Sequence, residues 1–169
     1  MLSAFLLAPT APTYTATGPT ALVTTTSLRA NRHQVETEAM ELLIYVEGFT
    51  ARPKWDVNAN RNGHGTVAAY PGEVLTKVQA YARALSTLRK HTGKVREHYP
   101  HLDERQTAAL GILRYNVGSF GPSLRRAIKS GCAKAIAAQM RRYVNSAGTR
   151  LQGLADRREL EISFFKSTA

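Results

Sequence analysis

Residues 35–65 read VETEAMELLIYVEGFTARPKWDVNANRNGHG, and this stretch decides the fold. Val35, Ala39, Met40, Leu43 and Ile44 recur at helical spacing, with Glu36, Glu38 and Glu41 interleaved. Acids early in a helix suit the positive end of its dipole, so a helix is expected to begin near Val35. Gly48 can take the left-handed conformation that stops it. The chain then turns loop-like, with Pro53, Asn58, Asn60, Asn62, Gly63 and Gly65. Trp55, Val57, Val67 and Tyr70 fit short strands between these turns, and Trp55 reads as a packing residue.

The same stretch offers two isolated carboxylates. Glu47 closes the apolar run, Asp56 comes nine positions later with no acid between, and none follows until Glu73. Sugar-cleaving enzymes need one protonated acid for the leaving oxygen and one ionised acid for water or the sugar cation. An apolar helix end suits the proton donor. A solvated Glu is the commoner occupant of a helix end, so the pair needs support from elsewhere in the chain.

Composition narrows the field. The 169 residues are 43% hydrophobic and 21% charged, enough for one domain with a core. No apolar run is long enough to span a membrane. Met1 to Leu7 is apolar, but the first base is Arg29, which argues against a secretory signal. The single Cys132 excludes an internal disulfide and reads as a buried thiol in a small-residue helix. The five His are scattered, without metal spacing, and no cofactor is expected. Net charge is +11, and Arg105 to Ala155 holds nine bases and no acid. Such a lobe is expected to seek a polyanion: nucleic acid, an anionic bacterial envelope or an acidic protein. Nucleic acid is disfavoured, because only Tyr115, Phe120 and Tyr143 are interleaved for base stacking.

Residues 1–34 contain no acid and are rich in Thr, Ala and Pro, which predicts a tail or tether. The domain is expected over 35–169, with an active-site lobe at about 35–72 and a helical lobe at about 73–169. Val74, Val78, Tyr81, Leu85 and Leu88 predict a connecting helix that stops near Gly93, with those side chains inward. Asp103 and Gln106 form a capping box for the next helix. Pro122 opens another, Cys132 to Val144 a further one, and Gly153 to Phe165 the last. The expected class is α+β, mainly α. A cleft between two lobes is a natural place for a polymer.

These motifs resemble the phage-type lysozymes, the endolysin muramidases of glycoside hydrolase family twenty-four. The resemblance rests on Glu47-Gly48 and Asp56, with eight residues between the acids, and on the Gly63-His64-Gly65 turn. A second patch is Leu102, Gln106 and Ala109 before Tyr115-Asn116-Val117-Gly118, followed by Ser123-Leu124 and Ser130-Gly131. Gly153-Leu154-Ala155-Asp156-Arg157-Arg158 with Glu161 matches the family's close, so the likeness covers about residues 36–165.

The resemblance implies a lysozyme-like two-lobe fold and hydrolysis of the β-1,4 bond between N-acetylmuramic acid and N-acetylglucosamine in peptidoglycan, without a cofactor. Glu47 would protonate the linking oxygen. Asp56 would orient water or stabilise the oxocarbenium ion. It further implies a phage-encoded protein, made in the host cytoplasm and released to the wall at lysis, or carried in the virion to open the wall at infection. The chain departs from the family at its water-holding Thr. Counted from Asp56, that position holds Asn62; laid on the glycines, it holds Arg61, and Thr66 falls where the family often has His. Asn62 can donate or accept, whereas Arg61 can only donate. The catalytic set is therefore Glu47, Asp56 and Asn62, and the substrate-binding set Arg61, His64, Thr66, Tyr115 and Asn116. Arg157 and Arg158 are expected to pair with Glu161 or Glu47, with a structural role favoured by the short spacing to Glu161. Residues 1–34 would tether the domain to a phage structural protein or, as the less favoured alternative, to a membrane, with Leu2, Phe5, Leu6 and Leu7 as anchor. The alternatives are a lysozyme-fold structural virion component with little or no activity, and a basic nucleic-acid-binding domain.

Overall fold

The computed structural model describes residues 20–56 and 59–167, with side chains from residue 30 onward. Leu2, Phe5, Leu6 and Leu7, like Val57 and Asn58, lie outside the described residues. The order is α1 (Thr20–Glu47), β1 (Thr50–Asp56), β2 (Ala59–Gly63), β3 (Thr66–Val67), α2 (Lys77–His98), α3 (Glu104–Val117), α4 (Pro122–Lys129), α5 (Ala133–Met140), β4 (Asn145–Ser146), β5 (Thr149–Arg150) and α6 (Gln152–Lys166). This is the expected α+β, mainly helical plan: a small antiparallel sheet, a connecting helix and a helical lobe.

Helix α1 crosses the compositional boundary at 34/35 unbroken. Thr and Ala do not forbid a helix, and Pro19, which would, lies just before Thr20. Burial does change at the boundary: residues 30–34 are exposed, and Val35 opens the core. Glu36 and Glu38 consequently lie far from the first turn and serve packing instead. Glu36 accepts two hydrogen bonds from Arg89 of α2, each 2.7 Å, and Glu38 meets Arg105 of α3 at 2.6 Å.

Strand β2 lies on α2 with little space between them. A Cβ on Gly63 would sit 3.0 Å from the Ala80 Cβ. The face α2 buries is therefore Ala80, Ala84, Leu88 and Val95, while Val74, Val78 and Tyr81 stay exposed, contrary to their helical spacing. Small residues are what a close helix–sheet contact admits. Helix α2 also continues through Gly93, because the burial of Val95 beyond it offsets the roughly 1 kcal/mol cost of an interior glycine. Trp55 is 70% exposed on β1, so it does not pack as expected.

Helix α3 is central, with every residue from Thr107 to Leu113 buried. Its expected capping box is present, with Asp103 accepting from the Gln106 N–H at 2.7 Å. One core cluster joins α1 to α2 and α3 through Met40, Leu43, Leu88 and Ile112; the other fills the helical lobe around Leu113, Ile128, Met140 and Phe165. Helix α5 is shorter than expected, and the β4–β5 hairpin follows it. Cys132 caps α5 from the interhelical turn and is exposed rather than buried. Among the described residues, four of the nine bases of this acid-free stretch are engaged: Arg105 with Glu38, Arg141 with Glu159, Arg142 with the Gln139 side chain, and Arg114 over the Phe120 ring. Arg125, Arg126, Lys129 and Lys134 line the exposed side of α4–α5 with no acid partner among the described residues. No helix among the described residues is long and apolar enough to cross a membrane.

Candidate active site

Gly48 ends α1 at φ +64°, its N–H donating to the Ile44 carbonyl at 2.9 Å, as the sequence predicts. That stop sets Glu47 at the junction of the lobes, its side chain 16% exposed. Its carboxylate is held on two sides. Arg157 Nη1 lies 2.7 Å from Oε1. On the other side the carboxylate presses on Gly65, where a Cβ would come within 2.4 Å of Oε2. Gly65 has φ +74° and forms part of the cleft wall, so a residue without a side chain is what lets Glu47 reach it.

Arg157 belongs to a buried group of two acids and two bases. Its Nε donates to Glu161 at 2.9 Å, and Arg158 Nη2 reaches Glu161 at 3.1 Å and Asn116 Oδ1 at 3.0 Å. Burial works against charge on Arg157, but the Glu47 and Glu161 carboxylates outweigh it and raise its pKa. Burial pulls Arg158 down to about 10, still charged at neutral pH. It pushes the Glu161 carboxyl up, against the opposing pull of Arg158 and Arg157. The structural pairing with Glu161 is thus present, and the same Arg157 also holds Glu47.

Asp56 ends β1 with its side chain 59% exposed. It lines a cleft of about 1000 Å³ between the sheet, α2, the end of α3 and the β4–β5 hairpin. Arg61 of β2 lines the same cleft, its Nε 3.1 Å from Asp56 Oδ2 and its Nη1 donating to the Gly65 carbonyl at 3.1 Å.

The other expected site residues divide. Asn62 does not face the cleft: it is 0% exposed, and its amide donates to Glu73 Oε2 at 3.1 Å. Strand alternation turns Arg61 outward and Asn62 inward, so Asn62 cannot hold a cleft water. His64 is buried, with its ring Nδ1 against the Gly48 carbonyl at the turn after Glu47, and it is not among the cleft-lining residues. Thr66 lines the cleft, but its hydroxyl donates to the Asn62 carbonyl at 3.2 Å. Tyr115 and Asn116 also line it. The Tyr115 hydroxyl donates to the His64 carbonyl at 2.6 Å, and burial, with Glu47 nearby, raises its pKa and keeps it a donor.

Three features were not foreseen. Gly65 was read as a turn residue, yet its missing side chain makes room for Glu47. Glu73, Arg83 and Asn62 form a network that fixes β2 to α2; Arg83 bonds Glu73 at 2.6 and 2.7 Å. His91 lines the cleft, and burial first, then Arg114, Lys94 and Lys90, lower its pKa and favour the neutral ring. No group of three or more potential metal ligands occurs among the described residues. The arrangement packs one carboxyl, Glu47, against Gly65 of the cleft wall, although Glu47 itself is not among the residues lining the cleft, and it presents a second, Asp56, within the cleft; sugar hydrolysis uses such a pair.

A family model described as phage lysozyme matches residues 44–161. Among solved structures, the muramidase domain of SpmX from Asticaccaulis excentricus superposes with a TM-score of 0.69 at 24% identity, covering 78% of this chain and 96% of that one. The active form of the P1 phage endolysin Lyz gives 0.66 at 20% identity, covering 85% and 92%. The endolysin of Escherichia coli O157:H7 phage FAHEc1 gives 0.64 at 20%, covering 76% and 90%. These likenesses establish the fold. No curated protein matches the chain in sequence.

Proposed function

The chain belongs to the phage lysozyme family and is a glycoside hydrolase acting on peptidoglycan, and on that premise we propose that it cleaves the β-1,4 bond between N-acetylmuramic acid and N-acetylglucosamine. The observation that carries this reading is Glu47, held by Arg157 and packed against Gly65, whose bare backbone forms part of the cleft wall. Glu47 delivers its proton to the glycosidic oxygen. Asp56 orients water or stabilises the developing sugar cation. Arg61, not Asn62, takes the place of the family's Thr, because it is the one that faces the cleft. We read the protein as phage-encoded and delivered to the wall at lysis or infection. The exposed bases of α4–α5 support docking on the anionic envelope, and residues 1–34 serve as the tether.

Glu47→Gln tests the assignment. Clearing of chloroform-treated bacteria is expected to fall about 10²–10⁴-fold, the usual contribution of a general acid, with the fold retained. A folded Glu47→Gln protein of normal activity would remove the mechanism. The absence of the family's Thr, with Arg61 or Asn62 in its place, favours a second reading, a lysozyme-fold structural component with little or no turnover. Wild-type protein that pellets with cell walls yet releases no reducing ends would select that reading.

A further inference from the structure

Arg61 carries its guanidinium into the cleft one third exposed. Five N–H donors are available to it. One contact is to Asp56 at 3.1 Å and one to the Gly65 carbonyl at 3.1 Å; among the described residues nothing else accepts from it. Because Asp56 is largely solvated, the ion pair is of the weak, exchangeable kind. Arg83, the other arginine of the cleft wall, differs: two short hydrogen bonds commit it to the buried Glu73. Arg61 is thus the cleft cation whose partner can be replaced.

We propose that Arg61 is a binding site for a carboxylate of the substrate strand, and that occupation of this site frees Asp56 for the reaction. The proposal rests on the peptidoglycan-hydrolase reading above. Stem peptides give peptidoglycan strands free carboxylates, and the guanidinium fork fits a carboxylate bidentately. The incoming carboxylate replaces the outgoing one, so the charge on Arg61 stays compensated and no proton moves. The bond to the Gly65 carbonyl holds the guanidinium in place during the exchange. A neutral strand of the same sugars can enter the cleft but leaves Asp56 tied.

Soluble peptidoglycan strands in two forms, native and with their carboxylates converted to methylamides, test this with the full-length protein. On amidation kcat/KM of the wild type is expected to fall about tenfold or more, the size of one charge-assisted contact. Arg61→Thr should cleave both forms alike. Lys166→Thr, at the exposed end of α6, also loses one positive charge and should keep the preference. Calorimetric binding of both forms to Glu47→Gln gives a readout that does not need turnover, and there too the preference for native strands should vanish when Arg61→Thr is added. A preference that survives Arg61→Thr, or equal affinity for both forms when Arg61 is present, overturns the proposal. Wild-type protein that cleaves neither form yet binds native strands through Arg61 would instead overturn the hydrolase reading and leave the carboxylate site standing.

Discussion

Gly65→Ala separates the placement of Glu47 from its chemistry. The new Cβ would lie 2.4 Å from Glu47 Oε2 and 3.0 Å from its Cδ, whereas ordinary contact begins near 3.4 Å. The carboxylate must therefore retreat by about 1 Å, and a misplacement of that size costs on the order of 10²-fold in rate. The backbone adds its own cost. At φ +74° a side chain is strained by roughly 1–2 kcal/mol, which lowers the melting temperature by about 2–8 °C in a chain of this length. Gly72 supplies the matched control, with φ +81° and nothing within 4 Å of an added Cβ. Gly72→Ala should melt early by a similar margin and clear bacteria at the wild-type rate, while Gly65→Ala should show both defects. Thermal denaturation and the turbidity assay, run on both variants, distinguish strain from displacement. Gly65→Ala activity equal to that of Gly72→Ala would refute the idea that the bare Gly65 backbone sets the position of Glu47.

Three further outcomes follow from the same geometry. Hydrogen bonds from Arg83 first, then from the Ala69 N–H and Asn62, hold the Glu73 carboxyl at about 2 against an ordinary 4.5. A depressed folded pKa gives stability that is complete above pH 4.5 and lost as pH falls toward 2. The stability advantage of the wild type over Glu73→Gln, measured by urea denaturation, should accordingly shrink across that window and stay constant above it. Pelleting with isolated cell walls should weaken as salt rises, since the unpaired bases of α4–α5 are screened over about 10 Å at 0.1 M; salt-independent binding would exclude that face. Among the described side-chain links of the preceding helix, a chain beginning at Val35 gives up the exposed Arg32–Glu104 pair, worth about 0–1 kcal/mol, and the exposed hydrogen bond from Gln34 to Glu38. It should fold and clear bacteria at close to the full-length rate, and unfolding on truncation would make the N-terminal helix part of the core.

What was legible in the sequence was local. The Glu47-Gly48 stop and the Asp103/Gln106 cap each depend on neighbours within a few positions, and both are present. The buried face of α2 was not legible, because the choice of Ala80 and Ala84 over Val78 and Tyr81 is made by Gly63 on another element. The choice between Asn62 and Arg61 turned on a single step of strand alternation. One residue of register exchanges the cleft face for the packed face, and only the position of Glu73 and α2 shows which is which. Arg157 illustrates a third limit. Its spacing to Glu161 is visible in the chain, but its bond to Glu47 joins the first described helix to the last.

That bond makes the site a late product of synthesis. Glu47 leaves the ribosome long before Arg157, and through most of translation the acid has no counter-ion and no α6 to rest against. A chain interrupted ahead of α6 would carry Glu47, Asp56 and the three-stranded sheet, yet lack the cation that pairs with Glu47 beside Gly65. The ion pair beside Gly65 is therefore complete only once the final helix has docked.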